Sequence, residues 1–207
     1  MSEKPLDTIT DLSPALAALI ARAGTNGRTK PPVDRWNPPF CGDLDMRIAS
    51  DGSWHYMGSE IRREALVRLF ASVLRCDADG RHYLVTPVEK VGIRVDDAPF
   101  VGVELHREGR GDLQVLTVRT NVGDVVRIGG EHPLRFDRDP ENDGLKPYIL
   151  VRGRLEARLN RPLLYELAED FVDHDVDGIV RTGVWSGGVF FPVEPLPPDD
   201  ERNGKDS

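Results

Sequence analysis

Cysteine is scarce in this chain. Cys41 and Cys76 are the only two among 207 residues, and they stand in no metal-binding or redox spacing. Their placement excludes a thiolate zinc frame. One disulfide is arithmetically open, but the two read as reduced thiols of a cytoplasmic protein. Long apolar runs are also missing: nothing approaches the roughly 18 residues that a membrane span needs. The opening Met1-Ser-Glu-Lys-Pro lacks the basic-then-apolar layout of a secretory leader. Nor is there a basic excess. Lys+Arg total 27 against 35 for Asp+Glu, giving a net charge of -8 and a pI near 5.2. That balance works against attraction to nucleic acid or an anionic membrane, while a locally basic pocket could still take a small anion.

The catalytic and cofactor motifs are missing too. There is no Walker A loop, no complete dinucleotide fingerprint and no serine in a nucleophile elbow. His55, His82, His106, His132 and His174 show no His-x-x-x-His or His-Glu spacing. The near-calcium pattern Asp139-Pro-Glu-Asn-Asp143-Gly144 fails where the loop needs a bidentate glutamate, because Leu150 stands there. No metal, cofactor or catalytic residue is therefore expected.

What is present is a globular composition. Apolar residues make up 39% and charged residues 30%, with a mean hydropathy of -0.38, enough for one large domain or two small ones. Ser13, Pro14 and Gly24 bracket an amphipathic helix near the start, followed by a Pro-rich stretch carrying Trp36. Leu44 to Ile48 and Trp54 to Met57 read as a hairpin about Asp51-Gly52. Ser59 is expected to cap a helix carrying Ile61, Leu66, Leu69, Phe70, Val73 and Leu74. From Arg81 to Ile128 the period becomes two, a meander of strands in which Glu108 to Asp112 turns the chain into a strand from Leu113.

An acidic loop is expected from Asp137 to Gly144, and then a hairpin about Arg152-Gly153. Asn160 is placed to cap a second helix, and Asp173-His-Asp175-Val-Asp177 reads as a solvated acidic turn at its exit. Ile179 to Trp185 pairs with Val189 to Val193 across Ser186-Gly-Gly188.

Two stretches share this order. Trp54 to Leu66 and Leu155 to Leu167 each run from a hairpin's second strand through a cap into an amphipathic helix. The strands that follow end in matching triplets, Pro87-Val-Glu89 and Pro192-Val-Glu194. The fold class expected is α+β, a duplicated β-rich core in which each repeat is a hairpin-helix-strand unit. Its boundaries fall at 1–97 for the first repeat, 98–195 for the second and 196–207 for a Pro-rich, charged tail expected to be disordered. A groove where two copies meet is a favoured place for a small molecule.

Polar residues on turns and strands supply the candidates. Glu89, Lys90 and Arg94 put a carboxylate and two cations beside an apolar strand face, which is otherwise a surface ion pair. Asn121 to Asp124 forms a turn that could receive an anion, or an ordinary Asx-type turn. His132 adds a ring that titrates near neutral pH. Trp185 and Trp36 could stack on a guest or serve as core.

Read together, Trp36-Asn-Pro-Pro-Phe-Cys-Gly-Asp-Leu-Asp-Met-Arg-Ile, Thr86-Pro-Val-Glu-Lys-Val-Gly-Ile, Asp96-Asp-Ala-Pro-Phe-Val, Thr120-Asn-Val-Gly-Asp, Glu131-His-Pro-Leu-Arg and Gly183-Val-Trp-Ser-Gly-Gly-Val-Phe-Phe-Pro carry a resemblance. In that order, over residues 33 to 194, they resemble the bacterial family catalogued as domain of unknown function 1285. The resemblance implies duplicated domains, the C-terminal one superficially like a pleckstrin-homology fold. It also implies a nucleotide-like ligand at the interdomain surface and a signalling role. By motif it points to Glu89, Lys90, Asn121, Asp124, His132 and Trp185, and it carries over no catalytic residue.

The expectation is a cytoplasmic ligand-binding or sensory module for a small anionic, nucleotide-like molecule. In it, Lys90 and Arg94 would offset charge, Asn121 to Asp124 would donate hydrogen bonds, and Trp185 or Trp36 would stack. One alternative is a protein-interaction module offering a sheet edge or groove to a signalling partner. The other is an enzyme with Glu89 or Asp124 as base and His132 as acid.

Overall fold

The computed structural model describes residues 30–140 and 142–194. The helix expected from Ser13 and the tail from 196 lie outside those residues. The chain divides into two compact units, the first reaching Phe100 and including Gly153–Leu155, the second taking Val101–Arg152 and the rest from Glu156. Each unit is built on a six-stranded sheet.

In the first unit the strands are β1 (Phe40–Ile48), β2 (Trp54–Tyr56), β3 (Ser59–Glu60), β4 (Leu74–Cys76), β5 (His82–Val85) and β6 (Lys90–Val95), with helix α1 (Glu64–Ser72) between β3 and β4. Their order across the sheet is β3-β2-β1-β6-β5-β4. The second unit has β7 (Phe100–Glu108), β8 (Val115–Thr120), β9 (Val125–Arg127), β10 (Leu134–Arg138), β11 (Leu145–Arg152) and β12 (Leu155–Leu159), in the order β10-β11-β12-β7-β8-β9. Counted from one to six within each unit, both sheets read 3-2-1-6-5-4. The duplication thus extends through all six strands. In both units a hairpin leads into a helix and on to a strand, β2-β3-α1-β4 in one and β11-β12-α2-β13 in the other. Helix α2 (Arg161–Ala168) follows the sixth strand of its unit rather than the third, and strands β13 (Val172–Val176), β14 (Ile179–Ser186) and β15 (Val189–Pro192) add a small third sheet.

Alternation sets the burial. In β12 the pattern Leu155, Ala157, Leu159 points inward while Glu156 and Arg158 are half-exposed, which is the period-two signature of a one-sided strand. The first core gathers Ile48, Trp54, Phe70, Leu74 and Leu84, all at most 1% exposed, with Trp54 stacked on Phe70 at 6.1 Å. The second gathers Leu116, Ile128, Ile149, Ala157, Leu167 and Val184, each fully buried. Cys41 and Cys76 are not joined in a disulfide.

Two local expectations are corrected. Ser59 does not cap α1. Met57 and Gly58 take positive φ of 48° and 75°, so the chain reverses there and Ser59–Glu60 pairs back on His55 and Tyr56. The helix begins after Arg63, whose side chain caps nothing, and Leu74 opens β4 rather than ending the helix. The acidic segment after α2 is not a turn but strand β13. Asp177 and Gly178, with φ of 57° and 80°, make the tight primed turn that an Asp-Gly pair favours, and the residues before it pair with β14 from Val172↔Gly183 to Val176↔Ile179. Smaller shifts occur at Leu113, which falls in a 3-10 turn before β8, and at Asp137, which ends up in β10.

Other expectations agree with the structure. The Asp51-Gly52 hairpin pairs Ile48 with Trp54 and Met46 with Tyr56. Asn160 caps α2, its side chain accepting the Leu163 N–H at 3.1 Å. Trp185 faces Phe190 across the Gly187-Gly188 turn. No helix among the described residues is long and apolar enough to cross a membrane.

Candidate functional site

The eight residues singled out from sequence fall four to each unit. Trp36, Glu89, Lys90 and Arg94 belong to the first, and Asn121, Asp124, His132 and Trp185 to the second.

In the first unit the cations are already engaged. Lys90 opens β6, with its Nζ 2.9 Å from Asp77 Oδ2 and 4.4 Å from the centre of the Tyr83 ring. Arg75 takes the other oxygen of Asp77 at 2.6 Å and donates to the carbonyls of Val33 at 2.9 Å and Trp36 at 2.7 Å. Trp36 is therefore tied to the sheet through its backbone, and Arg75 and Asp77 brace the Pro-rich entry segment against β4. Burial pushes the Asp77 carboxyl up, but the Arg75 and Lys90 hydrogen bonds outweigh it and hold the group below its ordinary value. Arg94, farther along β6, lies 3.3 Å from Asp96, whose second oxygen receives Arg47. Glu89 is buried in the turn before β6, where Thr86 Oγ1 accepts its N–H at 3.1 Å.

The turn of Asn121 to Asp124 in the second unit is likewise part of the frame. Asn121 Oδ1 accepts the Val101 N–H at 3.0 Å, Asp124 N–H reaches Thr120 Oγ1 at 3.0 Å, and the Asp124 carboxylate pairs with Arg152. His132 donates from Nδ1 to the Leu150 carbonyl at 3.0 Å. A carbonyl can only accept, so a proton sits on Nδ1. Trp185 is half-buried against His174 at 4.9 Å and Phe190 at 5.4 Å. Gly183 makes room for this group, since a Cβ there would come within 2.6 Å of the Phe190 ring. Ser186 is wholly structural: its buried Oγ accepts from Leu116 N–H and donates to the Ile128 carbonyl.

A concave site does exist, among residues the motifs did not indicate. In the second unit, a cleft of about 590 Å³ is lined by Asp139, Asn142 and Gly144 to Pro147 on one side and by Arg158, Leu159, Arg161, Leu164 and Tyr165 on the other. That volume is within the range of small-ligand sites. The fold assembles it from three pieces: the start of β11, the end of β12 and the first turn of α2. Period-two alternation turns Arg158 outward between buried Ala157 and Leu159. Helical spacing then sets Arg161 and Tyr165 on one face, where Arg161 Nε donates to the Tyr165 hydroxyl at 3.0 Å.

Among the described residues, three cations and one carboxylate line the walls, and Lys146 lies 3.0 Å from that carboxylate, Asp139. Arg161 meets no carboxylate among the described residues. The positive end of the α2 dipole adds to the field at the same place. Tyr165 is 60% exposed, with the Arg161 guanidinium over its ring at 5.7 Å from the centre. The loop beneath is self-closed, with Asp139 N–H donating to the Gly144 carbonyl and Gly144 N–H to Asn142 Oδ1. The available signal in the sequence was Tyr165 itself, four residues after Arg161 and just off the apolar stripe of Leu163, Leu164 and Leu167. Among the described residues, no three His, Cys, Asp or Glu side chains gather to hold a metal ion.

Comparison with known proteins places this architecture. The family model described as "Domain of unknown function (DUF1285), N-terminal domain" matches residues 31–98. The companion model, "Protein of unknown function (DUF1285), C-terminal domain", matches residues 99–193. The crystal structure of a DUF1285 family protein from Silicibacter pomeroyi DSS-3 is 49% identical, with a TM-score of 0.76 over 84% of this chain and 93% of that one. A DUF1285 family protein from Shewanella baltica OS155 is 27% identical, with a TM-score of 0.48 over 62% of this chain and 94% of that one. A search of curated proteins found no match.

Proposed function

The chain belongs to the DUF1285 family, and from that premise we propose that it is a ligand-binding module for a small anionic, nucleotide-like molecule, serving a sensory role. The cleft formed by β11, β12 and α2 is the receiving site. The observation that carries this reading is the lining of that cleft, where, among the described residues, Lys146, Arg158 and Arg161 stand against the one carboxylate of Asp139 in a chain of net charge -8. An acidic protein that concentrates cations in one concavity focuses its field there and draws in anions. Guanidinium groups are matched to phosphate geometry, offering paired donors to its oxygens. Tyr165 offers a ring on which a base can stack, and Leu164 an apolar floor. Lys90, Arg94, Asn121 and Asp124 act as frame, since each is bound to a neighbour of its own unit.

Calorimetric titration with inorganic phosphate and a panel of nucleoside mono- and diphosphates tests the proposal. A nucleotide should bind more tightly than phosphate alone. Arg161→Glu should weaken it at least tenfold, in line with about 1.5–3 kcal/mol for a charge-assisted contact. Lys90→Ala and Asn121→Ala should leave affinity within about twofold. Binding lost in those two variants and kept in Arg161→Glu would move the site away from the cleft. Silence of the wild-type chain toward the whole panel would remove the function altogether.

A further inference from the structure

Strand β13 is the outer member of the three-stranded sheet β13-β14-β15. One of its edges pairs with β14, and no strand covers the other among the described residues. Residues 172 to 175 are exposed along their length, and the apolar side chains nearby are open too, with Ile179 at 52% and Val180 at 68% exposure. A bare edge of this kind is a template for another strand.

The side chains on the edge select what can pair. Successive residues alternate between the two faces of the sheet. Val172, His174 and Val176 share a face with Trp185 and Phe190, and the three rings of His174, Trp185 and Phe190 pack at 4.9, 5.0 and 5.4 Å. Asp173 and Asp175 point to the other face. Asp173 Oδ1 accepts the Thr182 hydroxyl at 2.6 Å and Asp175 Oδ1 the Gly178 N–H at 2.8 Å, and neither meets a cation among the described residues.

A second copy of the chain is a poor partner. An antiparallel pairing centred on His174 sets Asp173 opposite the second Asp175, and a parallel in-register pairing sets each aspartate beside its own copy. Like charges facing across strands destabilise the pair in either case, whereas opposite charges support it.

We propose that the free edge of β13 docks an extended segment of a partner protein whose sequence alternates basic and apolar residues. Its backbone would complete the ladder on β13. Its Lys or Arg side chains would lie over Asp173 and Asp175, and its apolar side chains would extend the aromatic face of His174, Trp185 and Phe190. This is strand addition, with main-chain hydrogen bonds supplying affinity and alternate side chains supplying choice. The docking edge is independent of the cleft and does not rest on it.

Fluorescence anisotropy with labelled synthetic peptides tests the idea on the full chain. Val-Lys-Val-Lys-Val should bind at least tenfold more tightly than Val-Glu-Val-Glu-Val. Methylation of alternate backbone nitrogens of the lysine peptide, on the face that pairs, should weaken it at least tenfold, which mere charge attraction would not do. The double substitution Asp173→Lys with Asp175→Lys should invert the peptide preference. Equal binding of the two peptides, indifference to N-methylation, or an unchanged preference in the double variant would each overturn the proposal. A concentration-dependent dimer that the double substitution dissolves would overturn it as well, by giving the edge to a second copy.

Discussion

The two units share a strand order and differ in the setting of one charge cluster each. In the first, Arg75, Lys90 and Asp77 close on one another and on the carbonyls of Val33 and Trp36. In the second, Lys146, Arg158 and Arg161 line an open cleft. The position of the helix accounts for the contrast. Helix α1 is inserted between the third and fourth strands, whereas α2 follows the sixth, so its first turn meets the ends of β11 and β12 and leaves a concavity. One scaffold thus carries a closed charge cluster in one unit and an open cleft in the other, depending on where a short helix is spliced in.

The contrast can be broken by substitution. The largest effect belongs to the first unit. Trp54 is 1% exposed and stacked on Phe70, so Trp54→Ala should cost about 3–5 kcal/mol in chemical denaturation. Next comes Asp77→Asn, which leaves Arg75 and Lys90 without their shared carboxylate. These groups are 14–21% exposed, and after discounting for the solvent they retain, the loss should be about 2 kcal/mol. Nucleotide affinity should be unaffected. Arg161→Glu should do the reverse, leaving stability within about 0.5 kcal/mol while reducing affinity. A large stability loss in Arg161→Glu, or an affinity loss in Asp77→Asn, would erase the distinction between the halves.

Helix capping sharpens the comparison at a smaller scale. Asn160 caps α2, while Arg63 at the start of α1 caps nothing. Asn160→Ala should lose about 1 kcal/mol, and Arg63→Asp should gain roughly 0.5–1 kcal/mol by adding a cap where none exists. Thermal melts of the two variants should shift in opposite directions.

Acid should weaken the first unit in two windows. His82 is held below its ordinary 6.5 by burial, so its charged form is disfavoured in the folded state. Stability is therefore full above about 6.5 and falls as pH drops below it, toward and through the folded value. Asp77 is also depressed, so its contribution is present above its ordinary 3.8 and is lost as pH falls through its folded value. Urea midpoints at pH 7.5 and 5.5 should converge in His82→Gln relative to wild type. An unchanged gap would remove His82 from the acid response.

Much of the frame was legible because it is written in local chemistry. Asp51-Gly52, Asn160 and the alternation of β12 each name an element by themselves. Ser59 misled because a capping residue and a strand residue look alike in sequence, and the reversal at Met57-Gly58 decided between them. Asp173 and Asp175 misled because their charge suggested a loop, when the alternating Val172, His174 and Val176 and the Asp177-Gly178 turn specify a strand. The cleft was the least legible feature. Arg158 is turned outward by strand period and Arg161 by helix period, and Lys146 comes from a third element. Their convergence is a property of the topology, not of any spacing along the chain.

Amide chemical-shift mapping of the full chain during titration with adenosine monophosphate addresses the cleft most directly. Saturable shifts are expected at residues 142–147 and 158–165, with Lys90, Asn121 and Asp124 unmoved. Shifts centred on those three residues, with the β11–α2 region silent, would contradict it.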